Sequence, residues 1–369
     1  MCQPMASRLA MQARLLCLST TVLAVALALA SALLQPDRAD APVGPTSLAA
    51  TTSDLPENRD TQLYRAIAAR VAAGENYYEV AAELHRERSY PLFPFFTVRL
   101  PTLAHVNAAI GSSGLFVAAW LLLLGAILVW FRALADHGLV TRTLAVALLA
   151  LGGAATITPA AIVLHEFWCG LLLTIAMGFG RRKEWPLQVA FAAAAVFVRE
   201  FAVLFLLAMG FLALIERRWR EVAAIAGVIG LFAAFLALHY LAVVEVRLPA
   251  DLQSPPWTGL RGPTALVQDL ARVSWLGLLP VPLAALLTFL PLAGWSSLAR
   301  PMLTILWFAG FGAVIALFAR PNNEYWILTM LPAYLVGLAM LGSTWRCIVQ
   351  TGISRGRAGS AAAFDSIQS

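Results

Sequence analysis

Two polar dipeptides, His165-Glu166 and Arg199-Glu200, interrupt otherwise apolar sequence. An ionisable side chain is costly inside a bilayer, so it is rare there and usually lines a cavity or a reaction path. Four such residues in two adjacent helical hairpins, with a long carboxylate-rich loop opening on the same side, point to a membrane-embedded active site. That loop, residues 35–112, contains Asp60 at the start of an amphipathic segment. Asp60 reads as an N-cap, as a carboxylate held at the membrane surface for proton transfer, or as both, because a cap also fixes the side chain's position.

The elements that must position these residues are membrane helices. The 369-residue chain is 60% hydrophobic and 12% charged, with a mean hydropathy of +0.77, which is the composition of a polytopic membrane protein. Apolar stretches run over 15–34, 114–133, 143–164, 167–180, 185–198, 201–215, 222–244, 276–297, 302–319 and 326–344. The fold expected is an all-α bundle of about ten spans. Its parts are an N-terminal anchor helix (1–34), an extracytoplasmic loop (35–112), a polytopic bundle (113–345) and a cytoplasmic tail (346–369).

Orientation follows from the basic residues. With both termini cytoplasmic, fourteen fall inside: Arg8, Arg14, Arg132, Arg142, Arg181, Arg182, Lys183, Arg217, Arg218, Arg220, Arg300, Arg346, Arg355 and Arg357. Five fall in the short outer segments: Arg199, Arg247, Arg261, Arg272 and Arg320. That bias obeys the positive-inside rule. It accounts for the net charge of +6 without a nucleic-acid partner.

The same rule brackets 181–220. Arg181-Arg182-Lys183 and Arg217-Arg218-x-Arg220 both belong inside, so the chain between them is expected to form a hairpin with Arg199-Glu200 at its outer turn; one long helix with the pair buried is the competing arrangement. The N-terminal run is about 20 residues, longer than a signal-peptide core, and reads as an uncleaved anchor. The four cysteines are scattered, which indicates neither a disulfide framework nor a zinc site.

Within the outer loop, residues 35–59 read as a linker. Leu63, Tyr64, Ile67, Ala68 and Val71 recur at helical spacing up to Gly74, a suitable stop. Asn76 caps a second helix that carries Tyr77, Val80, Ala81 and Leu84. Both helices are expected to lie in the membrane interface. Pro91, Pro94 and Pro101 then hold an extended stretch, with Phe93, Phe95 and Phe96 able to dip into lipid or cover a pocket.

Asp60-x-x-x-Tyr64, Gly74-Glu75-Asn76-Tyr77-Tyr78, Tyr90-Pro91 and Arg99-Leu100-Pro101-Thr102-Leu103 together resemble the first outer loop of GT-C-type membrane glycosyltransferases. Bacterial members implicated in cell-surface glycopolymer formation are the nearest in pattern. His165-Glu166-x-Trp168 and Arg199-Glu200 resemble positions of the same group, and the likeness covers roughly residues 10–245. It implies an enzyme of the bacterial inner membrane. Its donor would be a polyprenyl-phosphate sugar and its acceptor an extracytoplasmic glycan or lipid. Asp60 would then be the base. Arg199 and Arg320 would hold the lipid phosphate, with Arg99 a third candidate. Glu166 and Glu200 would orient arginines or bond sugar hydroxyls, and His165 would contact phosphate or acceptor. Such loops typically carry an acid pair near the first helix; here Thr61 follows Asp60, so no metal ligand set is assigned, although a divalent metal is compatible with the family.

Each of these residues also has a plainer reading. Arg199-Glu200 could be a turn whose charges snorkel to water, and His165-Glu166 an exposed helix end. Arg320 could be a solvated turn charge, with Tyr325 and Trp326 as interfacial anchors. Two other functions fit the hydropathy: a transporter or flippase for a lipid-linked or amphipathic solute, and a non-catalytic subunit of a polymer-assembly complex. The place where the polar groups converge discriminates among the three.

Overall fold

The computed structural model describes residues 3–34, 59–298 and 301–346. Asp54, Glu57, Arg300 and the tail from 347 lie outside the described residues. Within them all regular structure is helical, and the one β feature is an isolated parallel bridge between Phe93 and Gln253. Among the described residues, three segments are long and apolar enough to cross a membrane: Leu15–Leu34 in α1 (Gln3–Leu34), Phe95–Ala133 containing α4 (Thr102–Ala133), and α9 (Trp219–Val246). α9 exposes Leu231, Leu238 and Leu241 at 60–66%, a surface suited to lipid and not to water.

The other apolar helices are shorter. α5 (Leu139–Ala154), α6 (His165–Gly178), α7 (Trp185–Val198), α8 (Val203–Ile215), α11 (Val281–Trp295) and α12 (Met302–Phe318) have 13–17 residues each. At ~1.5 Å per residue they reach about 20–25 Å, less than the ~30 Å of a hydrocarbon core. Short helices packed beside long ones end partway along them, and the charged dipeptides occupy such ends. α10 (Thr264–Val273), α13 (Leu331–Tyr334) and a helix over 337–346 complete this part of the chain.

Charged pairs gather at the two opposite ends of the long helices. At one end, Arg132 in the last turn of α4 pairs with Glu184 before α7 at 2.9 Å. Arg182 and Trp185 share a groove there with Trp219. At the other end lie the pairs Arg86–Asp251 and Arg272–Glu324.

Residues 181–220 form the expected hairpin. α7 starts and α8 ends beside the start of α9, while Phe197 packs edge-on against Phe232 and Phe235 of α9, with ring centroids 5.7 and 5.3 Å apart. Phe232 and Phe235 lie roughly 20–24 Å along α9 from Trp219. The hairpin tip, Arg199-Glu200, therefore stops beside the middle turns of α9 instead of projecting as an exposed outer turn. α9 continues past it for about three turns, and His239 and Val243 of those turns are buried.

α2 (Arg59–Ala72) and α3 (Tyr77–Glu87) depart from expectation in where their apolar faces point. Leu63, Ile67, Val71, Tyr77, Val80 and Leu84 are buried together with Leu92, Val98 and Val243, forming a small second core. The stripes thus cover each other and the tops of α4 and α9, and do not face lipid. Gly74 ends α2 at φ +91°, and Asn76 Oδ1 accepts from the amides of Tyr78 and Glu79. α4 is broken at Gly111, whose φ of 70° separates its first turns from the apolar part of the helix. Phe95 packs on His239 and Tyr240, and Phe96 on Trp257, so these rings cover protein surface.

His85 ties this second core to pH. It is 2% exposed, its Nδ1 lies 2.9 Å from the Pro91 carbonyl, and burial pushes its pKa down to about 4. Arg99 acts in the same direction, and the Pro91 bond, Asp60 and Asp251 oppose it. A histidine held neutral takes up its proton more readily when unfolded, so stability is present above pH ~6.5 and is lost as pH falls toward 4. The linkage amounts to roughly 3 kcal/mol over that window, at ~1.4 kcal/mol per unit. Thermal unfolding in detergent should show the melting temperature falling between pH 7 and pH 4.5. His85→Gln should flatten that slope; an unchanged slope would assign the acid sensitivity elsewhere.

Candidate active site

Glu166 is the second residue of α6, Arg199 is the C-cap of α7, and Glu200 opens the 3-10 turn leading into α8. Each charge sits at the helix end whose dipole favours it, acids at starts and the cation at an end. Glu166 and Arg199 are 0% and 1% exposed. Arg199 Nε lies 2.8 Å from Glu166 Oε1, its Nη1 reaches Glu200, and its guanidinium covers the Phe201 ring at 3.9 Å. Arg99 Nη2 approaches the same Glu166 oxygen at 3.7 Å. Two arginines and two carboxylates thus balance in one buried cluster, the condition under which buried charge is tolerable.

Two tyrosines frame Arg99. Its Nε donates to Tyr64 Oη at 3.0 Å and its Nη2 to Tyr325 Oη at 3.2 Å. Asn323 Nδ2 also donates to Tyr325, at 3.4 Å. Burial raises the Tyr64 pKa well above the usual value, with Arg99 opposing and Asp60 adding to the shift, so Tyr64 stays protonated. Tyr325 reaches this position because α6 packs directly on the 3-10 segment Glu324–Thr329: a Cβ on Gly170 would collide with the Leu328 carbonyl. Tyr325 and Trp326 are therefore not interfacial anchors. Tyr325 binds Arg99, and Trp326 packs on Phe201 with centroids 4.7 Å apart.

Asp60 lies within the first turn of α2, one residue inside its start and not at the cap. Its Oδ1 accepts the Tyr90 hydroxyl at 2.6 Å. Tyr90 is pushed up in pKa by burial first and by this bond second, which keeps it a donor to the carboxylate. Asp60 and Tyr64 are one helical turn apart, so the carboxylate sits on the same side of α2 as the tyrosine that holds Arg99.

The sequence candidates therefore divide. Asp60, Arg99, Glu166, Arg199 and Glu200 belong to one constellation, and neither Glu166 nor Arg199 is an exposed or snorkelling charge. His165 is 4% exposed; its Nε2 lies 3.3 Å from the Leu100 carbonyl and its ring meets Tyr64 edge-on at 5.5 Å. The apolar recess bordered by His165, Tyr77, Leu103 and Val163 has none of the cluster's charges in its lining. Arg320 does not reach the cluster. Its Nη2 donates to Ser254 Oγ at 3.0 Å and its guanidinium stacks 4.7 Å from the Trp257 ring centre. The buried partner of the neighbouring Arg261 is Asp269, at 2.7 Å.

Tyr90, Tyr325 and Asn323 were missed by sequence reasoning as site residues. Tyr64 and Tyr90 stood in the resemblance pattern; Tyr325 and Asn323 had no signal beyond a polar turn. Several buried atoms keep bonding capacity: Glu166 Oε2 and His165 Nδ1 have no hydrogen-bond partner among the described residues. Among those residues, no group of three His, Cys, Asp or Glu is placed to hold a metal ion. No family model matches this chain, and no curated protein or solved structure matches it either.

Proposed function

We propose that the protein is a membrane glycosyltransferase that moves a sugar from a polyprenyl-phosphate donor to an extracytoplasmic glycan or lipid, within a bundle of about ten spans whose termini are cytoplasmic. The observation that carries this reading is the convergence of Asp60, Arg99, Glu166, Arg199 and Glu200 where short helices end beneath α2 and α3. A flippase would need a polar path continuing through the bundle, and a scaffold would need no convergence. In the proposed reaction the acceptor hydroxyl oxygen attacks the anomeric carbon while Asp60 takes its proton. The bond from that carbon to phosphate oxygen breaks, and the electron pair leaves on the polyprenyl phosphate.

Arg99 is the guanidinium best placed for that phosphate. It is 12% exposed at the side chain, against 2% for Arg199, and its tyrosine partners are neutral. Arg199 becomes a positioning residue that holds Glu166 and Glu200. Glu166 Oε2 supplies an acceptor for a sugar hydroxyl. The donor set does not fit a three-ligand metal site, and no step is routed through a metal.

The test uses purified protein in proteoliposomes, with a labelled polyprenyl-phosphate sugar and membrane-extracted acceptor. Label should pass into the acceptor, and Arg99→Lys should weaken donor use chiefly through KM, by losing the planar fork. Label crossing the bilayer still attached to polyprenyl phosphate would favour the flippase.

A further inference from the structure

At the end of the bundle opposite Glu166, the starts of α7 and α9 stand side by side. The groove between them has a volume of ≈ 330 Å³ and is lined by Arg182, Trp185, Arg218, Trp219, Arg220 and Glu221. Its charge is unbalanced. Glu216 and Glu221 both bind Arg218, and Glu184 binds Arg132. Those pairs use every acid in 181–184 and 216–221. Arg181, Arg182, Lys183, Arg217 and Arg220 are left without a carboxylate partner among the described residues.

The groove is also amphipathic. Trp185 opens α7, and Trp219, 62% exposed, opens α9. Along the adjoining helix surfaces, Leu187, Leu214 and Ile215 are 49–62% exposed. A small soluble anion would use the arginines and leave this apolar border bare. A molecule with an anionic head and hydrocarbon chains uses both, with indole rings at the boundary where tryptophan is favoured. Two helix starts add their partial positive charge to the same place.

We propose that this groove binds the phosphate headgroup of an anionic phospholipid of the cytoplasmic leaflet, its chains lying along α7 and α8. Arg182 and Arg220 hold the phosphate, while Arg218, occupied by two glutamates, shapes the groove floor. The inference rests on the cytoplasmic placement of this end and is independent of glycosyl transfer.

Native mass spectrometry of the full chain in a neutral detergent, with equal phosphatidylglycerol and phosphatidylcholine, tests it. The protein should retain phosphatidylglycerol in preference by about tenfold or more, since each basic residue near a phosphate adds comparably to lipid binding. Arg182→Gln/Arg220→Gln should abolish the preference. Arg181→Gln/Lys183→Gln removes the same amount of charge from the two neighbours of Arg182, outside the lining, and should keep it. If the first double variant misfolds, Arg220→Gln alone should lose part of the preference, because it leaves the ion pairs of Arg218 intact. Equal loss in both double variants, or equal retention of the two lipids by the wild type, overturns the proposal in favour of diffuse positive charge. Displacement of the lipid by excess glycerol phosphate would also overturn it, by showing that the groove recognises phosphate without chains.

Discussion

Asp60→Asn should yield a protein made, inserted and folded at wild-type levels that transfers sugar about 10²–10⁴ times more slowly. The amide keeps the shape of the carboxylate and still accepts the Tyr90 hydroxyl, so the start of α2 and its packing through Leu63 and Ile67 have no reason to move. What disappears is the ability to take a proton from an attacking hydroxyl. Tyr90→Phe separates the base from its support. It leaves the carboxylate and removes one hydrogen bond to a charged group, worth about 1.5–3 kcal/mol. Its rate should therefore fall between wild type and Asp60→Asn. Full transfer by Asp60→Asn, measured with a labelled polyprenyl-phosphate sugar, would remove Asp60 as base and leave Glu166 as the described carboxylate to examine.

The sequence and the structure agree where a local rule applies and part where a long-range contact decides. The hairpin over 185–215 was legible because basic runs bracket it and only one fold keeps both on one side. The depth of its tip was not. It depends on Phe197 packing against Phe232 and Phe235, a contact that charge counting does not reach. The stripes on α2 and α3 were legible as apolar faces, but a periodicity states that a face is buried and not what buries it; here that is α4, α9 and each other. As sequence, Arg199 and Arg320 ranked ahead of Arg99 as phosphate ligands, although each is an arginine beside an apolar run. They separate through the Tyr64 and Tyr325 hydroxyls, the Glu166 carboxylate and the Trp257 ring. The bond from Arg99 to Tyr325 joins positions 226 apart and relies on Gly170 admitting the Leu328 backbone.

The second large effect concerns Glu166, which faces both Arg99 and Arg199 in a place with almost no solvent. Glu166→Gln keeps the side-chain volume but leaves the cluster with two cations against Glu200 alone. Removing one partner of a buried ion pair costs about 3–5 kcal/mol, because the remaining charge loses its compensation without regaining water. The melting temperature in detergent should drop sharply for this variant. Arg199→Met should drop it for the mirror reason, stranding Glu166 with the more distant Arg99. The double variant Glu166→Gln/Arg199→Met removes one charge of each sign, and Arg99 and Glu200 remain to balance. It should therefore be more stable than either single variant, and the double-mutant cycle should return a favourable coupling of the order of 1–3 kcal/mol. Additive losses across the cycle would mean that Glu166 and Arg199 are neighbours without being partners. In that event the balance of charge at the helix ends could not be what lets ionised groups sit there, and the site would have to be rebuilt around Arg99, Tyr64 and Tyr325.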